Sequence, residues 1–241
     1  MEDNNKLNKH QRVRYSRSLM LPEFSEEHQL ALIGSKVLIV GAGALGSVCS
    51  MYLAASGVGH ITIVDFDTVD LSNLQRQLSF VSSDVGKKKV TATAERLRSI
   101  NSDVEVTAID RLLRKSDAET LIPEFDLVIE GSDNPTTKYM ISDLCRESGI
   151  TCVIGGISET RGQVMSYTKG NACYRDWFPE PGCGEGFTPC SVGGILGPVP
   201  GIIGSIMSAE ALKLLTGIGK PLVNRLLSFD ALNMNTLVFD F

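Results

Sequence analysis

"KVLIVGAG", residues 36–43, is an apolar run that ends in a glycine turn, and "LGSVCSMYLAASG" (45–57) follows it with apolar residues at helical spacing. A run without polar alternation belongs to a strand buried on both faces, and the helix that follows makes the first step of a parallel β–α arrangement. "HITIVDFD" is a second strand of this kind. The order then repeats: a helix over 84–100, strand "VEVTAI", a short helix around 115–122, strand "DLVIEGSD", a helix over 135–148 and strand "TCVIGG". After residue 156 the pattern changes. "RGQVMSYT" reads as an antiparallel strand, 170–200 as a loop rich in Gly and Pro, 201–216 as a helix, and "LLSFDA" with "TLVFDF" as a terminal hairpin. The expected fold is α/β and Rossmann-like, a mostly parallel sheet flanked by helices with antiparallel C-terminal strands. Residues 1–241 are expected to form a single domain, with an N-terminal helical arm over 1–34 and a mobile active-site loop over 170–200.

Composition narrows the function. With 43% hydrophobic and 21% charged residues, the 241-residue chain is that of an ordinary globular protein. A net charge of −5 argues against a broad nucleic-acid or anionic-membrane footprint, so neither partner is expected. The polar N-terminus "MEDNNKLNKHQRVRYSRSL" does not read as a signal peptide, and the expected location is cytoplasmic. The most apolar stretch, 192–215, carries Pro198, Pro200, Glu210 and Lys213, which speaks against a membrane span. It reads instead as a buried core or interface helix whose glycines allow close backbone packing. Six cysteines in such a chain are expected as free thiols. Cys49, Cys145 and Cys152 lie in apolar contexts and read as core residues, whereas Cys173, Cys183 and Cys190 fall in the Gly- and Pro-rich stretch.

The glycine turn is where chemistry begins. "GAGALG" has GxGxxG spacing: Gly41 permits the tight turn, Gly43 lets the backbone approach phosphate, and Gly46 lets helix pack on strand. This does not separate NAD, FAD and ATP. Asp65 ends the second strand, where a carboxylate accepts hydrogen bonds from ribose hydroxyls. Asn73, Arg76 and Gln77 follow in "VDFDTVDLSNLQRQ" (64–77), and Lys89 comes soon after. A dinucleotide pyrophosphate needs little beyond backbone amides; an Arg and a Lys beside a ribose-binding Asp point to a triphosphate whose charge is neutralised during transfer. Lys87 and Lys88 read as solvated surface charges. "EGSDN" places Asp133 and Asn134 at the carboxyl edge of a further strand, where Asp133 suits either a Mg²⁺ ion or the cap of the next helix.

Together "RYSR" (14–17), "VLIVGAGALG", "ASGVGHITIVDFDTVDLSNLQRQ", "VGKKKV", "SDN" and "GILGPVPGIIGSIMSAEALKLLTG" resemble the MoeB/ThiF/HesA family, bacterial relatives of ubiquitin-activating enzymes, over about residues 11–232. The resemblance implies adenylyl transfer from Mg-ATP to the C-terminal carboxylate of a ubiquitin-like sulfur carrier of the ThiS/MoaD type ending in Gly-Gly, for thiamine, molybdopterin or related sulfur transfer. It implies a nucleotide set of Gly41, Gly43, Ala44, Gly46, Asp65, Asp67, Asn73, Arg76, Gln77, Lys89, Asp133 and Asn134, with Asp133 on Mg²⁺. Arg17, Arg76, Lys89 and Asp133 carry catalysis in this reading, Arg17 reaching into the partner's site of a homodimer. Cys190 aligns with a cysteine that is covalently catalytic in some members and passive in others.

Two departures stand out. Many members hold a structural zinc with two CxxC pairs; here the first reads "CYRD", leaving Cys173 with Asp176, and no second pair follows, so no structural zinc is expected. The family's arginine after "DN" is Lys138, which keeps the charge but loses the planar fork. The absence of a sulfurtransferase domain implies a bare activating module whose sulfur donor is a separate protein. The rival readings are adenylation of a small or tRNA-linked carboxylate, a non-catalytic nucleotide-binding scaffold, and a nicotinamide oxidoreductase, for which no hydride-transfer site is visible.

Overall fold

The computed structural model describes residues 6–179 and 193–241. The N-terminal arm is helical: α1 (Lys9–Arg14), capped reciprocally by Asn8 and Gln11, then α2 (Ser16–Leu19) and α3 (Glu26–Gly34). The alternating section follows as β1 (Lys36–Val40), α4 (Ala44–Ala55), β2 (His60–Asp65), α5 (Lys89–Ile100), β3 (Glu105–Asp110), α6 (Lys115–Leu121), β4 (Leu127–Glu130), α7 (Pro135–Ser148) and β5 (Thr151–Ser158). The remainder is β6 (Arg161–Tyr167), α8 (Tyr174–Trp177), α9 (Pro198–Thr216), β7 (Arg225–Asp230) and β8 (Asn235–Asp240).

Among the described residues the strands form one sheet in the order β3-β2-β1-β4-β5-β6-β7-β8, parallel through β5 and antiparallel from β5 to β8. The apolar runs explain the parallel half. Val37 and Ile39 join one hydrophobic cluster with α4 and α9, while Leu38 and Val40 join the other with α7, so the strand is buried on both faces. The order reverses between β1 and β4, and the crevice at the carboxyl ends of strands around such a reversal is where open α/β sheets take ligands.

Glycine packing sets the geometry of that crevice. Gly41 has φ +94°, and its N–H donates to the Val64 carbonyl at 2.9 Å. A Cβ on Gly46 would stand 1.8 Å from the Gly41 carbonyl oxygen, which forces α4 away from the turn. Gly46→Ala is therefore expected to cost about 3 kcal/mol, a melting-temperature fall of roughly 6–12 °C, with loss of nucleotide binding; thermal melts monitored by circular dichroism check this.

α9 is the one helix among the described residues long and apolar enough to cross a membrane. Here it is a core helix: Val199, Ile203, Met207 and Ala211 are buried, and a Cβ on Gly204 would meet Val48 at 2.8 Å, the close packing that its glycines predict.

Two boundaries differ from expectation. The helix predicted over 84–100 begins only at Lys89, because Gly86 adopts φ +92° and residues 86–88 run beside 68–69, with Val69 donating to the Lys87 carbonyl at 2.8 Å. The loop predicted over 170–200 contains α8 and the first turn of α9, started by Pro198 at the first helical position, where the missing N–H is harmless. Residues 180–192, with Cys183 and Cys190, lie outside the described residues, and with them the catalytic reading of Cys190 and the predicted mobility of the loop.

Candidate active site

The carboxyl ends of β1, β2, β4 and β5 open onto a cavity of about 590 Å³. Gly41, Gly43 and Ala44 line it from the glycine turn. Gly43 occupies the N-cap position of α4 and supplies no capping side chain, so the first N–H groups of the helix face the cavity without a side-chain acceptor. Gly46 does not line the cavity; it lies behind the turn, as the close-packing reading requires.

Asp65 at the end of β2 fixes the turn from the other side. Its Oδ2 accepts the Ala42 N–H at 2.7 Å and its Oδ1 accepts the Asp67 N–H at 2.8 Å, which leaves one lone pair on each oxygen toward the cavity. Asp67 in turn holds Lys89: Nζ to Oδ2 is 2.8 Å, and the Lys89 side chain is only 8% exposed. The 68–88 bridge delivers Lys89 there, since its own N–H donates to the Asp67 carbonyl at 3.0 Å. The neighbouring lysines fit the surface reading: Lys87 pairs with Asp84, and Lys88 with Asp110 at 3.1 Å.

Arg76 and Gln77 close the same wall. Arg76 donates through Nη1 to the Ser72 carbonyl at 3.0 Å, while its buried Nε has no partner among the described residues; Gln77 is 4% exposed and its Oε1 is likewise orphaned. Buried polar atoms without protein partners beside a cavity fit a site that takes a polar ligand. Asn73 is placed differently from its neighbours. It does not line the cavity, and its Oδ1 accepts the Asp70 N–H at 3.2 Å in a reciprocal cap of the 3₁₀ turn that precedes Arg76.

The two readings of Asp133 separate here. Asn134, not Asp133, caps α7, accepting the Thr136 N–H at 2.9 Å and the Thr137 N–H at 3.3 Å. Asp133 lines the cavity, exposed, and its carboxylate makes no hydrogen bond or ion pair with the described residues. A carboxylate without a partner among the described residues, at the edge of this cavity, suits Mg²⁺. Arg17, on α2, is exposed, and its one hydrogen bond among the described residues goes to Met20 Sδ, at 3.9 Å; within one chain it does not line the cavity.

One feature of the cavity floor is hard to read from local sequence. Glu130, at the end of β4, is fully buried and pairs with Lys138 Nζ, which also donates to the Gly155 carbonyl at 2.6 Å. The Ser132 N–H reaches the same carboxyl at 3.0 Å, and its hydroxyl donates there too. Burial pushes the Glu130 carboxyl above the usual range, against the opposing pull of Lys138. The signal available in the sequence is a glutamate closing the otherwise apolar "DLVIE".

The donors at the degenerate zinc position do not fit a metal. Arg146 Nη1 stands 3.4 Å from Cys173 Sγ and 3.5 Å from Asp176 Oδ1, so a guanidinium already occupies the place of a cation, and Asp176 Oδ2 accepts the Cys173 N–H at 2.8 Å. Those bonds, the Cys173 amide first, hold the Asp176 carboxyl below its ordinary value of 3.8. A depressed carboxylate contributes stability that is present above its unfolded value and lost as pH falls through the folded one. Wild type is therefore expected to exceed Asp176→Asn in urea stability at about pH 6, with the gap closing from about pH 4 downward.

The fold and this cavity define an α/β protein whose glycine turn, Arg76 and Lys89 line one cavity at the carboxyl edge of the sheet. The ThiF family model matches residues 15–241, and the chain belongs to the ThiF family. It is 42% identical over 221 residues to the adenylyltransferase and sulfurtransferase MOCS3 of Arabidopsis thaliana, covering 91% of this chain and 48% of that protein. It is 40% identical to the SAMP-activating enzyme E1 of Haloferax volcanii, covering 92% and 82% of the two chains. The chain thus spans about half the length of the MOCS3 relatives. The structure of Escherichia coli MccB with ATP shares the fold with a TM-score of 0.83 at 23% identity, covering 100% of this chain and 73% of that one.

Proposed function

We propose that the chain is an ATP-dependent adenylyltransferase that activates the C-terminal carboxylate of a small ubiquitin-like sulfur carrier ending in Gly-Gly. The observation that carries this reading is the convergence of Asp65, Arg76, Lys89 and Asp133 on one cavity at the switch point of the sheet. The names of the MOCS3 and SAMP-activating relatives support it.

In this reading a carboxylate oxygen of the carrier attacks the α-phosphorus of ATP, the bond to the β-phosphate oxygen breaks, and pyrophosphate leaves. Two anions must meet, so the protein's contribution is positioning and fixed positive charge. Asp65 accepts the ribose hydroxyls, the amides at Gly43 and Ala44 face phosphate, and Arg76 and Lys89 oppose the charge that builds at the reacting phosphorus. Asp133 would hold Mg²⁺, which supplies further charge neutralisation when bound. Arg17, exposed on the arm, is free to serve the partner's site in a homodimer.

The sheet suits a protein acceptor. On the cavity side of the antiparallel half, Gly156 of β5, Gln163 of β6 and Ser228 of β7 lie in register, and the face continues on β8 through Leu237 and Phe239, both exposed. An apolar outer face leading to the cavity fits a folded carrier that lays its tail inward.

ATP–pyrophosphate exchange with each small Gly-Gly-ending protein from the same genome tests the proposal. Exchange with one carrier, abolished in Asp133→Ala, is the expected result. No exchange with any carrier despite bound ATP would shift the reading to a small-carboxylate substrate or a scaffold.

A further inference from the structure

α8 is four residues long and cannot hold itself in place, since short helices are unstable without tertiary support. α7 supplies that support through four side chains at helical spacing on one face, Tyr139, Ser142, Asp143 and Arg146. Arg146 reaches Cys173 and Asp176 as described above. Ser142 Oγ accepts the Tyr174 N–H at 3.1 Å, and Asp143 takes Arg175 in a bidentate pair at 3.0 and 2.6 Å. Tyr139 donates its hydroxyl to the Phe178 carbonyl at 2.8 Å, and the Arg175 guanidinium lies 4.9 Å over the Tyr139 ring.

This ladder delivers two aromatic rings to the cavity. Tyr174 and Phe178 pack at 4.8 Å between centroids, and both line the cavity beside Met165 and Leu226. That wall belongs to β6 and β7, whereas Asp65 ends β2, and β6 stands four strand spacings from β2 in the sheet order. At 4.7–4.9 Å per spacing the separation is about 19 Å. The aromatic wall is therefore on the far side of Asp133 from the ribose end, where an acceptor and not the nucleoside would lie.

We propose that Tyr174 and Phe178 are specificity-determining walls for the acceptor tail, and that Asp143 and Arg175 act as positioning residues that latch them there without a metal. The proposal rests on the adenylation reading for the identity of the acceptor, but the latch itself does not. A narrow aromatic wall admits small or glycine-like tail residues and excludes bulky ones, because filling space already taken by a ring forces strain.

Trp177 of α8, the sole tryptophan of the chain, is half-buried and reports on the latch independently of activity. The Asp143–Arg175 pair is partly exposed, 33% and 41% at the side chains, so either single substitution is expected to leave the protein folded. The test combines acrylamide quenching of Trp177 with exchange kinetics for Asp143→Ala, Arg175→Ala and the swap Asp143→Arg/Arg175→Asp. Each single variant is expected to raise quenching and to raise KM for the acceptor about tenfold while KM for ATP stays within about twofold, and the swap is expected to reverse both effects. Unchanged quenching in the single variants would overturn the latch. Raised quenching with equal shifts in both KM values, or with no shift in either, would overturn the specificity role. If wild type shows no exchange with any acceptor while quenching still responds, the adenylation reading fails and takes the specificity role with it, and the latch stands.

Discussion

Lys89→Met is expected to lower ATP–pyrophosphate exchange about 10²- to 10³-fold, the loss typical of removing one fixed group that opposes transition-state charge. Lys89 is suited to a large effect because its ammonium is nearly buried and held by a single carboxylate, Asp67, at 2.8 Å. A charge fixed in that way costs no reorganisation at the moment of reaction, and the poorly solvated surroundings strengthen its field. Lys88→Met is the matched control. Its side chain is 46% exposed and its ammonium pairs with Asp110, which does not line the cavity, so its removal is expected to change exchange less than about twofold. Initial rates on both variants, with thermal melts to verify folding, check the contrast.

Lys138→Met is expected to destabilise the protein by about 3–5 kcal/mol, or roughly 6–20 °C in melting temperature. The substitution leaves Glu130 buried in the cavity floor without its cation, and a carboxyl already pushed up by burial is driven further toward the neutral form. Pairing the change with Glu130→Gln removes the uncompensated charge and is expected to recover most of the loss. Urea unfolding of the two variants distinguishes a buried pair of this kind from a solvated one, for which neither substitution would cost more than about 1 kcal/mol.

How legible these features were follows from the range over which each is determined. The strands of the parallel half, the glycine turn and the Asp65 strand end are set by residues adjacent in the chain, and each lies where the pattern of "KVLIVGAG" and "HITIVDFD" predicts. The start of α5 was not legible, because Gly86 takes a left-handed conformation only once 86–88 pair with 68–69. That same pairing buries Lys89 against Asp67, so its distinction from Lys88 depends on a contact 22 residues apart in the chain. Asp133 and Asn134 are both good capping residues, and local sequence does not choose between them; in the fold Asn134 takes the cap and Asp133 is left free. α8 was hidden by its length and its Gly- and Pro-rich surroundings, since the contacts that hold it come from α7, about 30 residues earlier in the chain. The Glu130–Lys138 pair joins a strand end to a helix, and the only local trace of it is a charge closing an apolar run.

If the cavity directs a carboxylate to the α-phosphorus of ATP, the carrier itself becomes adenylylated. Intact-mass spectrometry of the carrier after incubation with the protein, ATP and Mg²⁺, quenched in acid, is expected to show the carrier heavier by one adenylyl group, with pyrophosphate released in equal amount. A carrier of unchanged mass accompanied by ADP and inorganic phosphate would contradict it, because cleavage would then have occurred at the γ-phosphate.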